Sequence, residues 1–257
     1  MNPPCGSDIS GKRIIITGGT SGMGQALVEA FPGLGAQVVF LGRDQARGEA
    51  LAASSGAHFI RADVAEEAEI QAAIDQGVAR LGGLDVLVHA AGISPGSKAE
   101  AIGLAEWNQV MAINATGTFL SNVHAFPHLK ENGGAILNFS SAGGIQGYPG
   151  KAHYAASKGA VTAWVRSLAR EWAPYGIRVN AIAPAIWTPM YDNTRASMTP
   201  EQLAQHDAMM KSAVPLGGKL GDVKADYLPV MRFLCSDDAR FLTGQVYAID
   251  GGILMLR

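Results

Sequence analysis

The strongest constraint on this chain is a rhythm. Short apolar, β-branched runs at 13–17, 37–41, 58–61, 84–89, 135–140, 178–182 and 246–249 are separated by longer alanine-rich stretches. Several of these runs lack period-two alternation, the pattern expected of strands covered on both faces. The stretches at 22–34, 45–54, 66–81, 104–130 and 152–175 have helical length, and Pro32 and Pro127 fall where last turns are expected. Strands alternating with helices need crossover connections, and crossovers produce a parallel sheet with helices on both faces. The expected fold is α/β: a doubly wound parallel sheet of seven strands in a single domain over 1–257. Only 187–222 breaks the rhythm, with Pro189, Pro200 and Pro215 around a helical piece.

Composition removes several alternatives. Hydrophobic residues make up 48% and charged residues 16%, a balance that supports a core and argues against disorder. A formal net charge of −2 offers no electrostatic footprint for nucleic acid or an anionic membrane. No apolar run approaches the roughly 20 residues of a spanning helix, and the N-terminus lacks the pattern of a signal peptide. Cys5 and Cys235 are too few for a disulfide framework or a thiolate metal site. A soluble, cytoplasmic protein without a metal, a membrane or a nucleic-acid partner is expected.

The run at 13–17 leads directly into Gly18, Gly19, Thr20, Ser21, Gly22, Met23 and Gly24, then a helical stretch. Strand, glycine turn and helix start together form a phosphate-binding context. Glycine allows close backbone approach, and a helix N-terminus offers free N–H groups and partial positive charge. Thr20 and Ser21 add hydroxyl donors. Glycines at 18, 22 and 24 do not follow the commoner dinucleotide spacing.

Tyr154 and Lys158, four apart on an expected helix, share one face. Ser141 follows the run at 135–140, at the sheet edge where open α/β folds bind ligands. Free tyrosine, with a pKa near 10, is too weak an acid for neutral pH. An ammonium roughly 4 Å away, at an effective dielectric near 20, favours phenolate by about 4 kcal/mol. That predicts a phenol shifted by roughly three pKa units to near 7, where proton transfer is most useful.

Taken together these residues resemble the short-chain dehydrogenase/reductase family, from about Ser10 to Gly252. The glycine turn is similar to that family's phosphate loop, and Ser141, Tyr154, Lys158 and Asn114 match its active-site tetrad. Asp63 and Val64 resemble the pair beside the adenine. Ala90, Ala91 and Gly92 resemble the loop after the fourth strand, and Pro184, Ala185, Ile186 and Thr188 the segment facing the nicotinamide. The resemblance implies a Rossmann-like fold and hydride transfer between a nicotinamide dinucleotide and an alcohol or carbonyl compound, as in carbonyl reductases, 3-oxoacyl reductases and alcohol dehydrogenases. It implies that Tyr154 moves the proton, Ser141 binds the same oxygen, Lys158 holds the ribose and Asn114 positions a relay water. No metal is implied. Three departures stand out: His89 and Ala90 replace the family's usual pair of asparagines, Ala185 its usual glycine, and Pro229 falls within an expected helix.

By the same resemblance, the end of the second strand selects the cofactor. Gly42 stands at the usual acidic position and Arg43 follows it, which favours NADP(H) through a 2′-phosphate contact. Asp44 as a ribose ligand is the NAD(H) alternative. Substrate walls are expected at Ser94, Ile145, Gln146, Tyr148, Trp187 and Tyr191, beneath a lid over 187–222 that carries Met190, Met198, Met209 and Met210. Such a lining suits an apolar, ring-bearing ketone or secondary alcohol. A 3-oxoacyl thioester on a carrier protein or coenzyme A is the alternative substrate, and a non-catalytic cofactor-binding regulator the alternative role. By analogy with the family, a homotetramer or homodimer is expected.

Overall fold

The computed structural model describes residues 7–255; Cys5 and the Met190 side chain lie outside that description. The strands are β1 (Arg13–Thr17), β2 (Gln37–Gly42), β3 (His58–Arg61), β4 (Val86–His89), β5 (Gly134–Phe139), β6 (Ile177–Pro184) and β7 (Val246–Ile249). The helices are α1 (Gly22–Ala30), α2 (Gln45–Ser55), α3 (Glu67–Leu81), α4 (Leu104–Met111), α5 (Gly117–Leu129), α6 (Gly143–Gln146), α7 (Ala152–Glu171), α8 (Pro189–Ala196), α9 (Pro200–Ala213) and α10 (Leu228–Cys235). The strands form one sheet in the order β3-β2-β1-β4-β5-β6-β7, and every pairing is parallel.

Inner strands are apolar on both faces because both faces are covered. Ile15, Leu87 and Ile136 pack with α3, α5 and α7, while Ile14, Val86, Val88 and Leu137 pack with α1 and α10. Strand order reverses between β1 and β4, so the connections after them diverge and open a crevice at their C-terminal ends. Thr17 pairs with His89 in register at that crevice.

The chain departs from its expected organisation in one consequential place. The stretch 104–130 is three elements: α4, a π-helical turn over Ala112–Thr116, and α5. The wider turn inserts an extra residue into the helical ladder, and such turns recur at functional sites. Here the turn carries Asn114, which is fully buried. Pro127 lies in the last turns of α5, and Pro229 is the second residue of α10, which continues directly from a π-helical turn over Val223–Tyr227.

Candidate active site

Backbone sterics shape the phosphate end. Gly18 has φ +66°, and a Cβ there would lie 2.6 Å from the Ala91 backbone nitrogen, so the β1 turn and the loop after β4 approach main chain to main chain. A Cβ on Gly24 would stand 2.4 Å from the Gly18 carbonyl oxygen, which holds α1 close beneath the turn. Ser21 enters α1 in an extended conformation without a side-chain cap, and the first turn holds no acidic residue. The helix therefore presents its N–H groups and partial positive charge uncompensated. A diphosphate fits this cradle in both shape and sign.

Gly18, Thr20, Ser21, Gly22, Met23, Gly24, Gly42, Arg43, Asp63, Val64, Ala90, Ala91, Gly92 and Thr188 share one cleft of about 570 Å³. Pro184, Ala185 and Ile186 do not join its wall. Ala185 is bound between the Ile249 carbonyl and the Gly221 N–H, and Ile186 is 6% exposed in the core with Ile182 and Tyr227. Arg47 lines the cleft without having been expected there. Arg47 sits one helical turn beyond the loop that sequence spacing picked out, and an arginine on a helix surface carries no signal of its own.

At the rim of β2, Asp44 caps α2 by accepting from the Arg47 N–H at 3.0 Å and approaches Arg47 Nε at 3.4 Å. Arg43 Nη1 reaches Asp63 at 3.4 Å. Two exposed guanidinium groups thus flank the mouth of the cleft, while the Asp44 carboxylate already has partners.

The reacting end is assembled from β5, α7 and the π-helical turn. Ser141 accepts a hydrogen bond from the Gly143 N–H at 3.1 Å and is hydrogen-bonded to the Tyr154 phenol. Lys158 is 5% exposed and donates to the Phe139 carbonyl at 2.7 Å, with its ammonium 6.0 Å from the Tyr154 ring centroid. Asn114 Oδ1 accepts from the Ile93 N–H at 2.8 Å, and its Nδ2 donates to the Ile93 carbonyl at 2.9 Å and to Ser157 Oγ at 3.0 Å. A Cβ on Gly92 would stand 3.2 Å from Asn114 Oδ1 and 3.4 Å from Lys158 Nζ, so the cleft floor meets these groups directly.

The expected acidic phenol is not what the chain alone provides. Burial raises the Tyr154 pKa above its ordinary value; the Ser141 hydrogen bond works against this and nearby Tyr148 adds to it. Burial also pushes Lys158 down to about 8. An ammonium roughly 4 Å from the phenol at an intermediate dielectric would have lowered its pKa. Here the ammonium is turned toward Phe139, and loss of water outweighs its pull.

His89 answers the question left by the absent asparagine. It is buried, and burial holds it near pKa 3, hence neutral. Its Nδ1 lies 3.0 Å from Thr17 Oγ1, which also accepts from the Ala91 N–H at 3.3 Å. Thr17 and Asn114 therefore brace the two halves of the loop after β4.

Of the expected substrate walls, Ile145 and Tyr148 are 38% and 50% exposed, and Gln146 is exposed between them. Ser94 accepts from Lys151 Nζ at 3.0 Å. Trp187 and Tyr191 instead belong to a cluster within α8 and α9. Their rings meet edge to face at 4.8 Å, the Tyr191 hydroxyl contacts His206 at 2.8 Å, and Arg195 lies over both rings and pairs with Asp207. No residue of α9 is buried. Among the described residues no helix is long and apolar enough to cross a membrane.

This arrangement defines a dinucleotide-dependent oxidoreductase, and comparison with known proteins makes the class specific. A family pattern described as enoyl-(acyl carrier protein) reductase matches residues 18–254. The chain is 37% identical over 246 residues to L-fucose dehydrogenase of Mus musculus, covering 95% of this chain and 88% of that one. It is 37% identical over 252 residues to 2,5-dichloro-2,5-cyclohexadiene-1,4-diol dehydrogenase of Sphingobium indicum, covering 96% and 98%. The crystal structure of levodione reductase superimposes with a TM-score of 0.87 at 31% identity, covering 95% and 98%. The chain belongs to the short-chain dehydrogenase/reductase family, and it is an NAD(P)-dependent dehydrogenase acting on CH–OH groups.

Lys158→Met separates stability from function. Moving the ammonium from 10.5 to about 8 on folding costs about 3 kcal/mol, against about 1 kcal/mol for the lost Phe139 hydrogen bond. The variant melts roughly 3–6 °C higher at pH 7. Because the folded pKa lies below the unfolded one, the cost is complete below pH 8 and fades toward 10.5, so the gap narrows as pH rises. A lower melting temperature for the variant at pH 7 contradicts this.

Proposed function

We propose that the protein transfers hydride between NADP(H) and a ketone or secondary alcohol with an apolar, ring-bearing body, with Tyr154 as general acid and base. The observation carrying this reading is the gathering of Tyr154, Ser141 and Lys158 beside a cleft that ends at the bare N-terminus of α1. The bound dinucleotide supplies or accepts the hydride, and the chain supplies position and electrostatics. Thr20, Ser21 and the first N–H groups of α1 hold the diphosphate, Asp63 and Val64 flank the adenine, and Lys158 binds the nicotinamide ribose. Thr188, the one residue of that segment in the cleft wall, would meet the carboxamide.

At neutral pH the buried phenol is protonated and ready to give its proton to a carbonyl oxygen as the C–O bond is reduced. The Ser141 oxygen already accepts from Gly143, which leaves its O–H to meet the same substrate oxygen and stabilise developing charge. In alcohol oxidation Tyr154 takes the proton, and the positive charges of Lys158 and the oxidised ring favour that state. Both Asn114 N–H groups are committed to Ile93 and Ser157, so its side chain is a strut and a relay water would rest on its lone pairs. Tyr154→Phe, which keeps the ring but loses the proton, lowers kcat/KM by at least about 10²-fold in a ketone panel followed by NADPH oxidation. An unchanged rate would falsify the acid/base assignment.

Arg43 and Arg47 support the choice of NADP(H), since both can pair with a 2′-phosphate while Asp44 is tied to α2. Arg43→Ala weakens NADPH about tenfold or more and leaves NADH within about twofold, measured as dissociation constants. Equal losses for both dinucleotides would return the assignment to NAD(H). Gly42→Asp is the less direct probe, because a Cβ at Gly42 meets Thr20 at 2.6 Å.

The ring-bearing substrate fits exposed Ile145 and Tyr148 and the cyclic diol of the Sphingobium relatives. The α8–α9 pair serves as the lid, within one domain that also carries the sheet. Few cysteines, with Cys235 free and buried, suit the cytoplasm. Phe119, 43% exposed on α5, meets Trp164 of α7 edge to face at 5.5 Å above a shallow hollow lined by Ala115 and Ala160. Pairing this face with its own copy gives a homodimer and, with a second contact, a homotetramer. Light scattering that finds a monomer at micromolar concentration would remove the oligomer.

A further inference from the structure

Lys151 opens α7, three residues before Tyr154, and the activity described above gives it no task. Its ammonium is half-buried, and among the described residues it has no carboxylate partner. It donates to Ser94 Oγ at 3.0 Å and to the Ser94 carbonyl at 3.3 Å, and it lies 6.0 Å from the Tyr148 ring centroid. Ser94 adjoins Ile93, which lines the dinucleotide cleft, while Tyr148 is close enough to act electrostatically on the Tyr154 phenol. Lys151 therefore bridges the Ser94 loop and the segment that carries Tyr148, whose phenol acts on that of Tyr154.

Holding these walls together does not require the ammonium. The backbone already ties them: Ser97 pairs with Lys151 in a parallel bridge, and the Ser97 N–H donates to the Gly150 carbonyl at 2.8 Å. The Ser97 hydroxyl adds a bond to Glu106 at 3.1 Å. A partly desolvated cation without a counterion is expensive to keep unless something uses it.

Donor counting identifies the user. An ammonium has three N–H groups. Two go to Ser94, which leaves one, and the Ser94 hydroxyl hydrogen has no acceptor among the described residues. Two donors side by side match an acceptor oxygen. We infer that Lys151 and Ser94 form a second oxygen-binding subsite, which selects substrates carrying a hydroxyl or keto oxygen in addition to the one that reacts. This rests on the hydride-transfer reading above and narrows its substrate class: the body is apolar in its ring but oxygenated beside the reacting carbon. A substrate lacking that oxygen presses hydrocarbon against the ammonium and leaves both donors unmet, which is how polar sites discriminate strongly.

The test compares cyclohexanone with 2-hydroxycyclohexanone as substrates of the NADPH-loaded enzyme. The wild type prefers the hydroxyketone by about tenfold or more in kcat/KM. Lys151→Met brings that ratio close to one, chiefly through KM, and Ser94→Ala moves it part of the way. Each variant's melting temperature and NADPH dissociation constant establish that it is folded and loaded. A ratio near one in the wild type, or a ratio that Lys151→Met leaves unchanged, overturns the subsite. The same ratio, read as ketone dissociation constants by quenching of bound NADPH fluorescence, needs no turnover. Binding selectivity that survives without hydride transfer would keep the subsite and sink the hydride reading instead.

Discussion

The site depends on placing an ammonium and a phenol on one face of a helix and then burying that face. Burial disfavours both charges, so the phenol is raised and the amine is lowered to about 8. At neutral pH the phenol keeps its proton and the amine, still below its own pKa, keeps its charge. The resting chain is an acid awaiting a carbonyl rather than a base awaiting an alcohol, and its balance responds to any positive charge brought alongside. Packing maintains that tension. A Cβ on Gly144 would come within 2.5 Å of the Lys158 backbone, so α6 can seat against α7 only through glycine. Ser140 and Thr162 close on the Lys158 carbonyl from either side.

The two ends of the cleft are built on different principles. The phosphate end is almost all backbone: glycine sterics, an uncapped helix start and a loop held by Thr17 and Asn114. At its rim stand two exposed arginines, each beside a carboxylate: Arg43 beside Asp63 and Arg47 beside Asp44. The reacting end is side chains in rigid elements, with Ser141 on the turn after β5 and Tyr154 and Lys158 on α7. Between them α8 and α9 form a nearly self-contained unit, with Arg195 between aromatic rings and Asp207. Its first turn also lines the cleft, through Pro189 and Asn193.

Much of this was legible in sequence because the signals were local. Strands covered on both faces need unbroken apolar runs, and all seven observed strands fall on such runs within a few residues. The tyrosine–lysine spacing and the serine after β5 also sit where the elements bring them together. Long-range balances were not legible. The π-helical turn that seats Asn114 follows from packing between α4, α5 and α7, and residues 104–130 read as one helix. The sign of the Tyr154 shift comes from desolvation outweighing the Ser141 hydrogen bond, a balance that no spacing rule foresees. Ile186 was expected at the cofactor and lies in the core, where it bridges to Gly221 beyond the end of β6 and packs with Ile182 and Tyr227. Lys151 carried no motif, and only its unpaired burial singles it out.

The central claim is that the acidity of the Tyr154 phenol is set by a contest between burial and nearby positive charge. Difference titration of tyrosinate absorbance between wild type and Tyr154→Phe, with and without bound oxidised dinucleotide, reads that contest at the residue itself. The account predicts a phenol that titrates above its ordinary range in the free chain and at least one pKa unit lower once the cationic ring is bound, about 1.4 kcal/mol. A phenol already acidic in the free chain, or one indifferent to the dinucleotide, would contradict it.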